Sequence, residues 1–151
     1  MYCPKYLLYL GHQIKTIVTD TIVIQILNKI KKARRGTLFF GEDFISKGNY
    51  EAIRKALQRL VKSGELSRIA TGIYVRPEID PVIGPVTPGI EEIARAIARR
   101  DKARIIPTGI YALNRLGLST QVPTNIVYLT DGAARKVRVG NRTITFKKAT
   151  P

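Results

Sequence analysis

Apolar residues recur every three or four positions along "TDTIVIQILNKIKKARRG". Ile22, Val23, Ile26, Leu27 and Ile30 fall on one side, which predicts a helix capped by Thr19 or Asp20 and stopped by Gly36. Lys29, Lys31, Lys32, Arg34 and Arg35 crowd its last turns, where the helix dipole favours cations and a phosphate contact is open. Thr37–Phe40 reads as a short buried strand. Gly41–Lys47 reads as a brief helix with Phe44 and Ile45 inward, and Gly48 as a tight turn. The pattern is strongest in "NYEAIRKALQRLVKSG". Asn49 is an N-cap residue, and Ile53, Ala56, Leu57, Leu60 and Val61 form one stripe. Gly64 stands where a helix ends. Two strand-like pieces follow, Glu65–Ala70 and Ile73–Arg76, joined by Thr71-Gly72. Ile69, Ile73 and Val75 are expected inside, Ser67 and Arg68 outside.

That order, helix, short helix, turn, amphipathic helix and hairpin, describes a winged helix-turn-helix over residues 20–77, with the hairpin as wing. Pro77 to Gly89 holds four prolines and two glycines without periodicity. It predicts a semi-rigid linker over 78–87 and a domain boundary there. Beyond it, "IEEIARAIARRD" predicts a helix entered through Thr87-Pro88, with Ile90, Ile93, Ala94 and Ile97 buried. "ARIIP" is a short strand and "TGIYALNRLGL" a short helix turning Ile110, Leu113 and Leu116 to a core. "NIVYLTD" is a strand, and "RKVRVGNRTITFKK" a hairpin turning at Gly140-Asn141. The expected class is α+β: the winged helix-turn-helix, then a small α/β domain with a short mixed sheet over 88–151. Residues 1–19, broken by Pro4 and Gly11, read as a loose N-terminal arm.

Charge sharpens this picture. The 151 residues carry 26 Lys+Arg against 11 Asp+Glu, a formal net charge of +15. Both parts share the excess, with 14 basic and 6 acidic residues in 1–79 and 12 and 5 in 80–151. A polyanion is the expected partner, nucleic acid before an anionic membrane surface. The long helix then becomes the candidate reader of DNA. Lys55, Arg59 and Lys62 offer charge. Gln58 suits an adenine edge and Arg54 a guanine. Asn49 and Tyr50, at the helix start, are placed to contact phosphate or a base edge. Arg68 and Thr71 in the wing are placed to position the protein on the backbone, and Arg76 adds charge. A second basic surface is expected on the last hairpin, from Arg135, Lys136, Arg138, Arg142, Lys147 and Lys148. It would serve DNA, RNA or an acidic protein, or simply guard a sheet edge.

Chemistry that is missing excludes other classes. Cys3 and His12 are the single cysteine and histidine, so no intrachain disulfide and no Cys/His zinc site can form. A histidine-based nucleophile would have to use His12, in the arm. Glu42-Asp43 and Glu91-Glu92 sit at helix starts, where capping explains them better than acid–base work. There is no Walker A and no GxGxxG sequence. No catalytic residue, metal or cofactor is expected. The apolar run Tyr6–Leu10 is far shorter than the ~20 residues of a membrane span, and the expected location is the cytoplasm.

Two segments also carry a family resemblance. "ALQRLVKSGELSRIATGIYVRP" resembles the winged-helix segment of AbiEi-type antitoxins, from type IV toxin–antitoxin systems of abortive infection. "ARIIPTGIYALNRLGLSTQVPTNIVYLTDG", followed by "RKVRVGNRTITFKK", resembles the start of their antitoxin domain. The resemblance covers about residues 20–151. It implies a prokaryotic transcriptional repressor that binds inverted repeats in its own promoter, and such two-fold operators favour pairing or cooperative binding of two copies. It also implies an antitoxin domain opposing a nucleotidyltransferase-like toxin, without requiring direct contact. The carried-over DNA residues are Tyr50, Arg54, Gln58, Arg59 and the wing. In that family the second domain continues through further helices, so it is expected to be incomplete here.

Overall fold

The computed structural model describes residues 21–150, and the expected N-terminal arm lies outside them. The chain is α+β and divides into two compact units: the first runs to Arg68 and resumes over Gly72–Val86, and the second takes Ile69–Thr71 together with the chain from Thr87 onward.

The first described element is α1, helical over residues 21–32; its expected caps, Thr19 and Asp20, lie outside the described residues. Its register buries Ile22, Ile26 and Ile30, one turn apart each, with Val23 and Leu27 packed beside them. The helix stops before Arg34 and Arg35, so these two expected last-turn cations lie in the turn that follows. Strand β1 (Leu38–Phe40) comes next, then a 3-10 helix (Gly41–Lys47), α2 (Tyr50–Lys62), β2 (Ser67–Ala70) and β3 (Ile73–Val75). The sheet order is β1-β3-β2, with β1 antiparallel to β3 in the register Leu38↔Val75 to Phe40↔Ile73. The core joins α1, α2 and the sheet through Ile26, Ile30, Phe39, Phe44, Leu57, Leu66 and Tyr74.

Two inward positions differ from the sequence reading. Phe44 is fully buried, but Ile45 is 58% exposed. A 3-10 helix has three residues per turn, so only one position per turn meets the core. In β3, Ile73 and Val75 are buried as expected, yet Tyr74, on the strand's opposite face, is the residue that joins this core.

The stretch expected as a linker is instead a two-stranded antiparallel hairpin, β4 (Glu78–Asp80) and β5 (Gly84–Val86). The Asp80 carboxylate accepts from the N–H groups of Val82 (2.8 Å) and Ile83 (3.1 Å), which closes the turn and holds its pKa below the ordinary 3.8. A proline-rich string with no period can still pair when a side chain fixes its turn.

The second unit contains α3 (Ile90–Asp101), β6 (Ile105–Pro107), α4 (Gly109–Arg115), β7 (Asn125–Thr130), β8 (Arg135–Val139) and β9 (Arg142–Lys148). Gly89, not Thr87 or Pro88, is the N-cap of α3. The mixed sheet runs β6-β7-β9-β8, with β7 and β9 parallel and the outer pairs antiparallel. Ile93, Ala94 and Ile97 of α3 and Ile126, Tyr128, Ile144 and Phe146 of the sheet are buried, while Ile90 is half-buried. Helix α4 contributes no buried residue: Ile110, Leu113 and Leu116, expected inside, are 47%, 45% and 72% exposed.

Tyr128 carries a hydroxyl into this interior. Its ring stacks on Phe146 and meets Tyr111 edge-on, and its buried hydroxyl, near the Tyr111 side chain, makes no hydrogen bond of ordinary geometry among the described residues. Burial first, and Tyr111 second, push the phenol well above its ordinary 10.0. The unfolded chain therefore loses this proton above about pH 10 while the folded chain keeps it, so stability falls as pH rises through that range. Tyr128→Phe is expected to keep or raise stability at pH 7, by up to about 1 kcal/mol, and to flatten the alkaline loss. Urea denaturation at pH 7 and pH 10.5 checks both.

Candidate nucleic-acid interface

Helix α2 is built to separate two faces. Asn49 caps it, its side-chain oxygen accepting from the Ala52 N–H at 2.8 Å. That oxygen is therefore engaged within the chain, and the DNA contact assigned to Asn49 is left with its amide donors. Ile53, Ala56, Leu57 and Leu60 are at most 2% exposed. The opposite side carries Arg54, Lys55, Gln58, Arg59 and Lys62, all exposed, and Tyr50 at the helix start is 70% exposed. The single acid of α2, Glu51, lies in its first turn, where the dipole favours it. The helix thus presents four cations and one amide along its solvent side.

The hairpin β2–β3 follows within a few residues. Gly72, with φ of +73°, makes the sharp turn that an L side chain would strain, and it leaves Thr71 exposed at the tip. Arg68 is exposed on β2. Arg76, expected to add charge to the wing, does something else. Its guanidinium donates from Nη1 to the carbonyls of Lys31 (3.0 Å) and Ala33. It caps the C-terminal end of α1, whose last carbonyls have no partner within the helix. Lys29 is likewise committed: its ammonium donates to the Asp43 carbonyl at 2.7 Å and lies 5.0 Å from the Phe44 ring centroid. Nothing in the local sequence pattern marked either contact, because each spans residues far apart in the chain.

The second basic surface splits in two. Strand alternation places Lys136, Arg138 and Lys147 on one side of the sheet and Arg135, Arg142 and Lys148 on the other. Arg135 is half-buried and pairs with Asp101 at 2.6 Å, so it belongs to the fold. The other five are exposed. Two of the paired acids serve the fold: Asp43 accepts from the Phe40 N–H at 2.8 Å, and Glu91 of α3 pairs with Arg95 on its own helix and, at 3.1 Å, with Arg115 of α4. No helix among the described residues is long and apolar enough to cross a membrane.

The protein is thus an α+β chain of two units, the first exposing a cation-bearing helix. It belongs to a family of unknown function, DUF6088, which matches residues 25–151. No similarity to a curated protein or to a solved structure is found.

Proposed function

We propose that the protein is a DNA-binding transcriptional repressor of the AbiEi antitoxin type, acting on inverted repeats in its own promoter. The observation that carries this reading is the solvent face of α2, where Arg54, Lys55, Gln58, Arg59 and Lys62 are exposed along a helix whose other side is buried. The element order and the β1-β3-β2 sheet suit a winged helix-turn-helix, with the 3-10 helix and α2 as its helix pair. Insertion of α2 into a major groove lets Gln58 and Arg54 reach base edges, while Lys55, Arg59, Lys62 and the hairpin meet phosphates. The second unit takes the antitoxin role against a nucleotidyltransferase-like toxin encoded alongside. Two copies pair across the repeat.

Footprinting on the DNA upstream of its own reading frame tests the proposal. A protected inverted repeat is expected, and no protection at low salt ends it. Within that complex, Arg59→Ala is expected to weaken binding to all sequences and to lower the salt-dependence slope by about one. A fluorescence-anisotropy salt titration that leaves the slope unchanged removes Arg59 from the interface.

A further inference from the structure

The four strands of the second unit contain no Asp or Glu. One side of this sheet, the row of Ile126, Tyr128, Thr130, Ile144 and Phe146, is buried. The register fixes what the other side shows. Asn125 lies beside Thr143, which faces Arg138. Val127 lies beside Thr145, which faces Lys136. Leu129 lies between Ile106 and Lys147. Three cations therefore occupy the β9–β8 half, and three aliphatic side chains the β6–β7 half. Lys136, Arg138, Lys147 and Asn125 are exposed, and Ile106 and Leu129 are 64% and 37% exposed.

We infer that this face binds single-stranded RNA. Residues two apart on a strand stand about 7 Å apart, a separation suited to neighbouring phosphates of an extended strand, and Lys136 and Arg138 are so placed. A duplex hides its base faces and offers a flat sheet mostly phosphates, which the cations alone would satisfy. The aliphatic half has a use only where bases are unstacked and can lie on Ile106, Val127 and Leu129. Asn125 adds a polar reader. Thr145, 6% exposed, donates its hydroxyl to the Asn125 side-chain oxygen at 3.0 Å, and so holds the amide group with its N–H donors available. Those donors suit a ribose 2′-hydroxyl or a base carbonyl, and the 2′-hydroxyl is what separates RNA from DNA. This inference stands whether or not α2 reads a promoter.

The test uses the full chain, a fluorescein-labelled unstructured RNA of about 16 nucleotides, and competition by unlabelled RNA, DNA of the same sequence, and duplex DNA at matched salt. The RNA is expected to compete about tenfold better than its DNA counterpart. The triple variant K136A/R138A/K147A is expected to weaken RNA binding about tenfold or more. It should also lower the salt slope by about two, from about 0.7 per lost phosphate contact on a single strand. Duplex binding, measured in parallel, stays within twofold. Unchanged RNA affinity in the triple variant overturns the inference. So does equal competition by single-stranded or duplex DNA, the latter assigning the face to duplex phosphates. Failure of the α2 proposal would show instead as absent duplex binding with RNA binding intact.

Discussion

Phe44→Ala is expected to destabilise the first unit by about 3–5 kcal/mol, the range for emptying a buried phenylalanine site. Phe44 is fully buried, packs against Phe39 with ring centroids 5.8 Å apart, and lies beneath the Lys29 ammonium. It is the one buried residue of the 3-10 helix. Its loss removes the buried anchor of that element, whose links to α1 include the Lys29–Asp43 bond. The 3-10 helix in turn sets the start of α2 through Gly48 and Asn49, so the damage extends to the proposed DNA-reading helix. Ile45→Ala supplies the control. Ile45 is the next residue and as apolar, but exposed, and its truncation is expected to change stability by less than about 0.5 kcal/mol. Urea denaturation followed by circular dichroism compares the two. Equal midpoints for both variants would mean that Phe44 is not the anchor of this element.

That contrast also marks how far the sequence could be read. Asn49 and Gly64 bracket α2 because capping chemistry is local, and the stripe from Ile53 to Leu60 is long enough to show its period. The short mixed sheet was legible through "NIVYLTD" and the Gly140-Asn141 turn for the same reason. The six cations of the last hairpin were read as one surface, but strand alternation sets Arg135 on the side of Val137 and Val139, opposite Lys136, and Arg135 pairs with Asp101. Elements of three residues carry no period, so β4 and β5 were invisible among their prolines. Helix α4 misled because apolar residues at helical spacing signal a face, not that the described chain covers it. Arg76 was assigned to the wing by position alone. Its bonds to carbonyls more than forty residues away depend on how β3 docks beside α1.

The double variant K55E/K62E is expected to reduce affinity for duplex DNA by about 100-fold or more at 0.1 M salt, equivalent to about 3 kcal/mol. Each substitution removes a cation from the solvent face of α2 and puts an anion in its place, so attraction to phosphate becomes repulsion. With about 0.9 units of slope per phosphate contact on a duplex, loss of two contacts lowers the salt dependence by about two. The fold has little reason to respond, because both side chains are exposed and the buried stripe of α2 is untouched. Lys62 lies in the last turn, where an anion opposes the helix dipole, at a cost of about 0.3–1 kcal/mol. A thermal melt should therefore show a small shift, while anisotropy on upstream promoter DNA shows a large one. Gln58→Ala separates position from specificity. It is expected to leave the slope in place and to weaken discrimination between operator and scrambled duplex, because an amide can read base edges and carries no charge. Binding by K55E/K62E within threefold of the unmodified protein, with the melt preserved, would move the duplex contact off α2 altogether.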